Sequence, residues 1–352
     1  CPGQNFVFAA KTGDVAITQQ GKFVAKWNQQ GDFLMKGDDS SFMWQGFIPF
    51  NENPHQHSPS RGFVSSANQL PVDFKTYPYY LGGAYDLYRG IIVNKKLTAM
   101  NGITPQDMEQ MQTDNYNIFA ATALPLLLRN LDGTANEKKY ADILRQWNYR
   151  ADPEEKGPTV FNRLIYHFDK LVWDDDLKDH SQLPFISPHR STLIEALLRD
   201  TAFKFVDNAA TPEKETLKDI VTLSFKKATL DLDSMQKMGS DLTYGKVKGT
   251  EVDHLMKLPA FSYLHANNGG GTNMINASNK NHGPSWRMIV HLTNKTEAYG
   301  VYPGGQSGNP GSQFYDNFID TWTKGKYYLL WVMTENETKD PRIKWKMTFS
   351  IE

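Results

Sequence analysis

The sequence contains little of what several classes of protein require. One cysteine, Cys1, stands among 352 residues, which excludes a disulfide within the chain and any structural zinc site built on several cysteines. Lysine and arginine (38) balance aspartate and glutamate (39), so the basic excess typical of proteins that bind nucleic acid or anionic membranes is missing. No apolar run approaches the roughly 18 residues that a membrane-spanning helix needs. These absences indicate a soluble globular chain with no nucleic-acid or membrane partner.

Short strand-like runs separated by turn residues fill the first hundred positions. The predicted strands cover residues 6–10, 15–18, 23–27 and 63–68. Residues 51–60 are predicted to form a loop, because Pro54, Pro59 and polar residues fill this segment.

The spacing of apolar residues becomes helical between about residues 103 and 232. The pairs Thr104–Pro105 and Thr211–Pro212 each place a capping hydroxyl before a proline, which is a common way to start a helix. One apolar helix face is formed by Phe161, Ile165, Phe168 and Val172.

Strands are expected again near the C-terminus. Residues 286–292 and 298–302 resemble a strand pair, residues 313–323 a short helix, and residues 345–351 alternate apolar and polar side chains as a half-buried strand does.

The order of elements therefore predicts an α+β fold. Residues 1–100 are expected to form strands and active-site loops, residues 101–260 a mainly helical insertion, and residues 261–352 strands that return to the main sheet. We expect the N-terminal and C-terminal strands to share that sheet, because a lone terminal hairpin is marginally stable.

Three groups of side chains are candidates for chemistry. Cys1 combines a thiol with its own α-amino group, the pairing of an N-terminal nucleophile, although a cut within a longer protein would expose the same residue. His55 and His57 would share a metal ion only on a strand, and the predicted loop favours solvated histidines. The acidic run at residues 174–176 fits either a hard-cation site or a solvated turn between helices.

Two glycine-rich segments have only a superficial likeness to phosphate-binding loops. Residues 304–311 lack the lysine and hydroxyl residue of a phosphate loop, and residues 268–271 precede no helix that would hold an anion. Both segments predict tight turns or a close approach of the backbone to its neighbours.

Asn68 and Arg89 are polar residues at the ends of predicted elements. Asn68 ends a predicted strand ahead of Pro71, where its amide is placed either to donate to a developing oxyanion or to close its own turn. Arg89 lies at the start of a predicted helix, where it could serve the chemistry of a site or simply form a surface ion pair.

Several segments, taken together and in order, resemble the penicillin acylase (penicillin amidase) family of N-terminal-nucleophile hydrolases. The similar segments are NFVFAA at 5–10, WQGFIPF at 44–50, GFVSSANQ at 62–69, GPSWRM at 283–288 and PGGQSGNP at 303–310. The last two are the most specific, and the resemblance covers essentially the whole chain. It implies an αββα N-terminal-nucleophile hydrolase fold, of which this chain forms a part.

The resemblance also implies a reaction and site residues. The family cleaves an acyl group from an amine through an acyl-enzyme: an N-terminal serine attacks, and an asparagine side chain helps to hold the oxyanion. That asparagine falls on Asn68, and an arginine that organises the nucleophile's surroundings falls on Arg89. The serine falls upstream of the segment that begins at Asn5, and Cys1 matches an interior position. The chain is therefore expected to be the C-terminal part of the catalytic β chain and inactive alone.

Further expectations follow from the resemblance. No redox or nucleotide cofactor is implied. The position of the carboxylate that binds calcium in the family falls near Lys75, and Asp73 is the nearest candidate. A structural calcium ion is therefore expected only for the full-length enzyme. The expected partners are a small acyl-amide substrate and the upstream part of the same polypeptide, in the periplasm or secreted. Penicillins, cephalosporins and acyl-homoserine lactones all stay open as substrates. A non-catalytic acylase-like binding module is the remaining alternative.

Overall fold

The computed structural model of the chain describes residues 3–82, 87–132, 137–177, 188–209 and 211–350. Contacts divide the chain into two compact units. The first contains the chain up to Asn101 together with Met111–Pro284, and the second contains Gly102–Gln110 and the chain from Ser285 onward. No helix within the described ranges is long and apolar enough to cross a lipid bilayer.

A three-stranded antiparallel sheet opens the first unit. Strands β1 (Gln4–Ala9) and β2 (Val15–Gln20) confirm two predicted strands, and β3 (His55–His57) pairs with the other edge of β2. The prediction of a loop at β3 is wrong. Pro54 stands just outside the strand, and its carbonyl accepts a hydrogen bond from the Gln19 amide at 2.9 Å, so the missing proline N–H costs no bond between strands.

The two other strands predicted in this region are wrong. Residues 23–27 make a single bridge, between Val24 and Phe47, and residues 63–68 form no strand. Residues 63–68 are held by side-chain hydrogen bonds instead of bonds to a neighbouring strand. The Ser65 hydroxyl donates to Asn94 at 3.1 Å, and the backbone turns left-handed at Asn68. An alternating pattern predicts a strand only where a neighbouring strand is available to pair with it.

Helices make up the middle of the chain. Their bounds are α1 Tyr88–Ala99, α2 Pro105–Gln112, α3 Ile118–Arg129, α4 Lys138–Gln146, α5 Gly157–Leu177, α6 Arg190–Arg199, α7 Leu217–Lys237 and α8 Tyr244–Lys248. The predicted apolar face of α5 is confirmed, because Phe161, Ile165, Phe168 and Val172 are all buried in the main core. Helices α5 and α7 pack along each other, and the fully buried Phe225 of α7 belongs to the same core.

The starts and ends of these helices follow local chemistry. Helix α2 begins at the predicted Thr104–Pro105 pair. The second predicted start, Thr211–Pro212, is wrong: α7 begins later, where Thr216 and Asp219 form a capping box that satisfies two backbone donors. The acidic run at residues 174–176 does not form the solvated turn that was one of its two interpretations, because it lies in the last turn of α5.

Two small sheets follow. In the first unit β4 (Thr250–Val252) pairs with β5 (Tyr263–Ala266). The second unit contains β6 (Arg287–His291), β7 (Glu297–Val301) and β8 (Tyr328–Leu330) in an antiparallel sheet of that order. The β6–β7 pair confirms the predicted pair of strands.

The second unit departs from prediction at two places. Helix α9 covers only Ile319–Thr323 of the predicted 313–323 helix. The strand predicted from residue 345 does not form in its described part: Trp345 is 92%, Met347 77% and Phe349 87% exposed. No strand of the described residues lies beside this segment to complete a ladder.

The mixture of helices and antiparallel sheets with a helical middle confirms the α+β class. The arrangement of strands differs in one respect from the expectation of a shared sheet. Within the described residues, the N-terminal strands β1–β3 and the C-terminal strands β6–β8 form separate three-stranded sheets.

Candidate functional site

A cleft of about 380 Å³ in the first unit contains the predicted site residue Asn68. Residues of strands β1, β2 and β3 and of the segment 61–73 line it. Amide and hydroxyl groups predominate among its polar side chains, which include Asn5, Gln19, Gln56, Ser65, Ser66 and Asn68. The charged side chains of Arg61 and Asp73 also line the cleft. The neutral donors and acceptors suit a neutral polar group such as an amide.

Asn68 adopts a left-handed backbone conformation, with φ of +56°. Asparagine tolerates this region better than most residues do, because its short side chain suits such turns. The side-chain Oδ1 accepts a hydrogen bond from Nη1 of Arg89 at 2.5 Å. Since a guanidinium has only donors, this contact assigns the amide oxygen to Arg89 and leaves the amide NH₂ facing elsewhere. Within the described part of the chain, that NH₂ donates to no other group.

Arg89 is the second residue of α1, as the predicted helix start requires. Besides its bond to Asn68, its Nε donates to the backbone carbonyl of Met274 at 3.2 Å. The guanidinium therefore lies between the Asn68 turn and a loop far along the chain. The structure brings the two predicted catalytic residues into direct contact.

Helix α1 also holds the segment that precedes Asn68. The Oδ1 of Asn94 accepts from Nη1 of Arg61 at 2.9 Å and from the Ser65 hydroxyl at 3.1 Å, while its Nδ2 donates to Oε1 of Gln69 at 3.2 Å. A Cβ on Gly90, one turn earlier, would lie 2.6 Å from the Gln69 Cβ, so glycine permits this close approach. Sequence reasoning missed Asn94; its place one helical turn after Gly90 was the available signal.

Gln69 stands where the resembling family has a second asparagine. Its side chain reaches α1 through the bond to Asn94, so the longer amide is accommodated against the helix that carries Arg89. Glutamine at this position, where the family has asparagine, therefore contributes to the position of the turn at Asn68.

Asp73 lines the same cleft, but its surroundings do not match a calcium site. Its Oδ1 accepts from the Lys75 amide at 2.9 Å, and its carbonyl accepts from the amides of Thr76 and Tyr77. The described ranges contain no cluster of three or more His, Cys, Asp or Glu side chains placed to hold a metal ion. The described residues alone do not supply a calcium site, and a metal role for Asp73 in the full-length enzyme stays a prediction.

The other predicted ligands and nucleophile do not join the cleft as a group. His55 and His57 lie two apart on β3, as a shared metal would require, but Nδ1 of His55 donates to the Asn53 carbonyl at 2.8 Å. Cys1 lies outside the described residues, so its role as a thiol nucleophile stays a prediction.

The glycine-rich loop at residues 268–271 makes the close approach that its sequence predicts. A Cβ on Gly269 would lie 2.2 Å from Nδ2 of Asn115, and one on Gly270, whose φ is +90°, would lie 2.4 Å from the Asn276 carbonyl oxygen. The loop continues to the Met274 carbonyl that receives Arg89. Its glycines thus serve packing next to the site.

The chain is similar to known proteins over most of its length. The family model described as "Penicillin amidase" matches residues 1–339. Acyl-homoserine lactone acylase QuiP of Pseudomonas syringae pv. tomato is 24% identical, over 95% of this chain and 45% of that protein. The Pseudomonas aeruginosa protein of the same name is 22% identical, over 92% of this chain and 43% of its own length. The chain thus spans less than half the length of these curated relatives.

A solved structure extends the similarity to the fold. The thermostable penicillin G acylase from Alcaligenes faecalis matches with a TM-score of 0.64 and 15% identity, covering 99% of this chain and 67% of that one. At this identity the match supports the fold alone, and it confirms the expected fold.

Proposed function

Because the chain belongs to the penicillin amidase family, we propose that it supplies the oxyanion-stabilising part of an acylase that hydrolyses the amide bond between an acyl group and an amine. Asn68 is the catalytic residue of this proposal, and Arg89 is its positioning residue. The observation that carries it is the 2.5 Å contact between Nη1 of Arg89 and Oδ1 of Asn68, which fixes which end of the amide is left to donate.

The chemistry follows from where charge develops. When a nucleophile attacks the scissile carbonyl, its oxygen becomes negative, and a donor already in place stabilises it without reorganisation. The Asn68 NH₂ is such a donor, on a turn next to the polar cleft. The positive guanidinium on Oδ1 polarises the amide and strengthens its N–H groups as donors, since charge-assisted hydrogen bonds are stronger and polarise their neighbours.

The curated relatives suggest the first substrate class to test. Those cited above are named acyl-homoserine lactone acylases, whereas the penicillin G acylase supports the fold at only 15% identity. We therefore propose an N-acyl-homoserine lactone as substrate, with release of a fatty acid and homoserine lactone. Penicillin G is the comparison substrate, and the acyl chain length is left to the assay.

We propose that turnover needs the complete acylase polypeptide. The resemblance places the attacking serine upstream of the segment at Asn5, and this chain covers 45% of the relative from P. syringae pv. tomato. The chain alone should release no homoserine lactone from an acyl-homoserine lactone, while the complete polypeptide should. Turnover by the chain alone that is abolished by alkylating Cys1 would revive the thiol nucleophile. Binding without turnover by the complete polypeptide would favour a non-catalytic module.

The role of Asn68 is tested by Asn68→Ala in the complete polypeptide. Loss of one oxyanion donor should lower kcat by roughly 10²–10³-fold with little change in KM. The matched control is Asn101→Ala, an exposed asparagine outside the cleft, which should retain kcat. An unchanged kcat for Asn68→Ala, with activity otherwise present, would remove Asn68 from the mechanism.

A further inference from the structure

A buried carboxylate joins three segments of the first unit. The Asp114 side chain is 6% exposed and forms two ion pairs: its Oδ2 lies 2.6 Å from Nζ of Lys96, and its Oδ1 lies 2.9 Å from Nη1 of Arg150. Arg150 also pairs with Asp152 at 2.8 Å. Lys96 belongs to α1, so this cluster reaches the helix that carries Arg89.

The backbone next to this carboxylate holds the loop beside the site. The amide of Asn276 donates to the Asp114 carbonyl at 3.0 Å, and its side-chain Nδ2 donates to Oδ1 of Asn115 at 2.8 Å. Nδ2 of Asn115 in turn donates to Asp152 at 2.8 Å. Two consecutive residues, 114 and 115, therefore fix the position of Asn276.

These contacts close a ring that passes through Arg89. Met274 lies two residues before Asn276, and its carbonyl accepts from Nε of Arg89. Arg89 and Lys96 are seven residues apart on α1, about two turns, so they lie on the same side of the helix. The ring runs along α1, across the ion pair to Asp114, through the backbone to Asn276 and Met274, and back to Arg89.

Helix α1 is held by core packing at the end where Arg89 lies, because Tyr88 is buried in the main core. Its N-cap residue, Leu87, makes no side-chain capping hydrogen bond. Buried ion pairs add little net stability once desolvation is counted, but breaking one moves the groups that it holds. The ion pair between Lys96 and Asp114 therefore adds a restraint near the other end of α1 and contributes to the position of this helix.

We infer that Asp114 is a positioning residue: through Lys96 and through Asn276 it fixes the guanidinium of Arg89, and thereby the amide of Asn68. This inference rests on the proposed oxyanion role of Asn68. Neither Asp114 nor Lys96 lines the cleft, so both act on the reaction through Arg89.

The test is Lys96→Met in the complete polypeptide. This variant removes the ion pair but keeps an apolar stem of similar length, and Lys96 is partly exposed, so folding should survive. We expect kcat for an acyl-homoserine lactone to fall by roughly 3–10-fold with KM nearly unchanged. Lys96→Arg, which keeps the charge, should restore most of kcat. The control is Lys95→Met, an exposed neighbour on the same helix, which should leave kcat at the wild-type value.

A double variant distinguishes a positioning role of Lys96 from a general loss of stability, because a positioning role predicts that its effect on kcat is not additive with that of Arg89. In an Arg89→Lys background the guanidinium fork is gone, so Lys96→Met should lower kcat no further. The same fall in both backgrounds, or no fall in either, would overturn the inference. Asn68→Ala keeps the two proposals distinguishable. If Asn68→Ala lowers kcat while Lys96→Met does not, only this inference fails. If Asn68→Ala leaves kcat unchanged, the proposed function fails.

Discussion

The ion pairs of Asp114 give a stability prediction that depends on pH. Burial raises the pKa of Asp114, but the Lys96 ammonium and the Arg150 guanidinium lower it more, so this pKa lies below its ordinary value of 3.8. A carboxyl whose pKa is lower in the folded state than in the unfolded state stabilises the fold above its unfolded pKa. That contribution is lost as the pH falls through the lower, folded pKa.

The perturbation is Asp114→Asn, which keeps the shape of the side chain and removes its charge. Breaking a fully buried pair costs about 3–5 kcal/mol, but the side chains of Lys96 and Arg150 are each 38% exposed and can regain water. We therefore expect a loss of about 2 kcal/mol in the free energy of unfolding at pH 7. The difference from wild type should shrink below about pH 4, where this carboxyl begins to be protonated in the unfolded chain while it stays ionised in the folded protein.

Urea unfolding of both proteins between pH 3 and pH 7 measures this difference. The matched control is Asp142→Asn, which removes an exposed pair with Arg145 on α4 and should cost at most about 0.5 kcal/mol at any pH. Equal losses for the two variants at pH 7 would refute the reasoning. A loss for Asp114→Asn that stays constant down to pH 3 would refute it as well.

The remaining predictions concern the loop, the core and the segment before Asn68. Gly270→Ala should lower the free energy of unfolding in urea by more than Gly13→Ala, because both glycines have positive φ but only Gly270 lies against another backbone atom. Phe225→Ala should cost about 3–5 kcal/mol in the same assay, since the side chain is fully buried, and a loss below about 1 kcal/mol would contradict the assigned core. Asn94→Ala should speed limited proteolysis within residues 61–69, and an unchanged cleavage rate would contradict its role in holding them.

Several features that depend on local sequence were predicted correctly, although the helix start at Thr211–Pro212 was not. The turn between β1 and β2, the start of α2 and the apolar face of α5 each follow from residues close together in the chain. Local signals alone fix such elements.

Errors arose where distant partners decide the structure. Strand β3 forms because β2 offers it an edge, whereas residues 63–68 and the segment after residue 344 alternate correctly but have no strand beside them in the described chain. Asn68 was placed at a strand end, and its left-handed turn depends on contacts with α1. A period of two predicts which side chains share a face, not whether a partner strand exists.

The candidate site, too, could be predicted from the sequence only in part. Asn68 and Arg89 were predicted from a family resemblance, and no local pattern predicted that they touch. Arg89 reaches Met274 across 185 positions of the chain, and Asn276 reaches Asn115 across 161. Such contacts leave no periodic trace in the sequence, which is why the ring through Asp114 emerged only from the structure.

The most direct test of the central claim is kcat of Asn68→Asp in the complete polypeptide. Aspartate has nearly the same shape and accepts from Arg89, but as a carboxylate it has no N–H to donate and repels a developing oxyanion. We predict a loss of kcat of at least roughly 10²–10³-fold, with an unfolding midpoint close to that of wild type. A kcat within a fewfold of wild type would show that the Asn68 NH₂ does not stabilise the transition state.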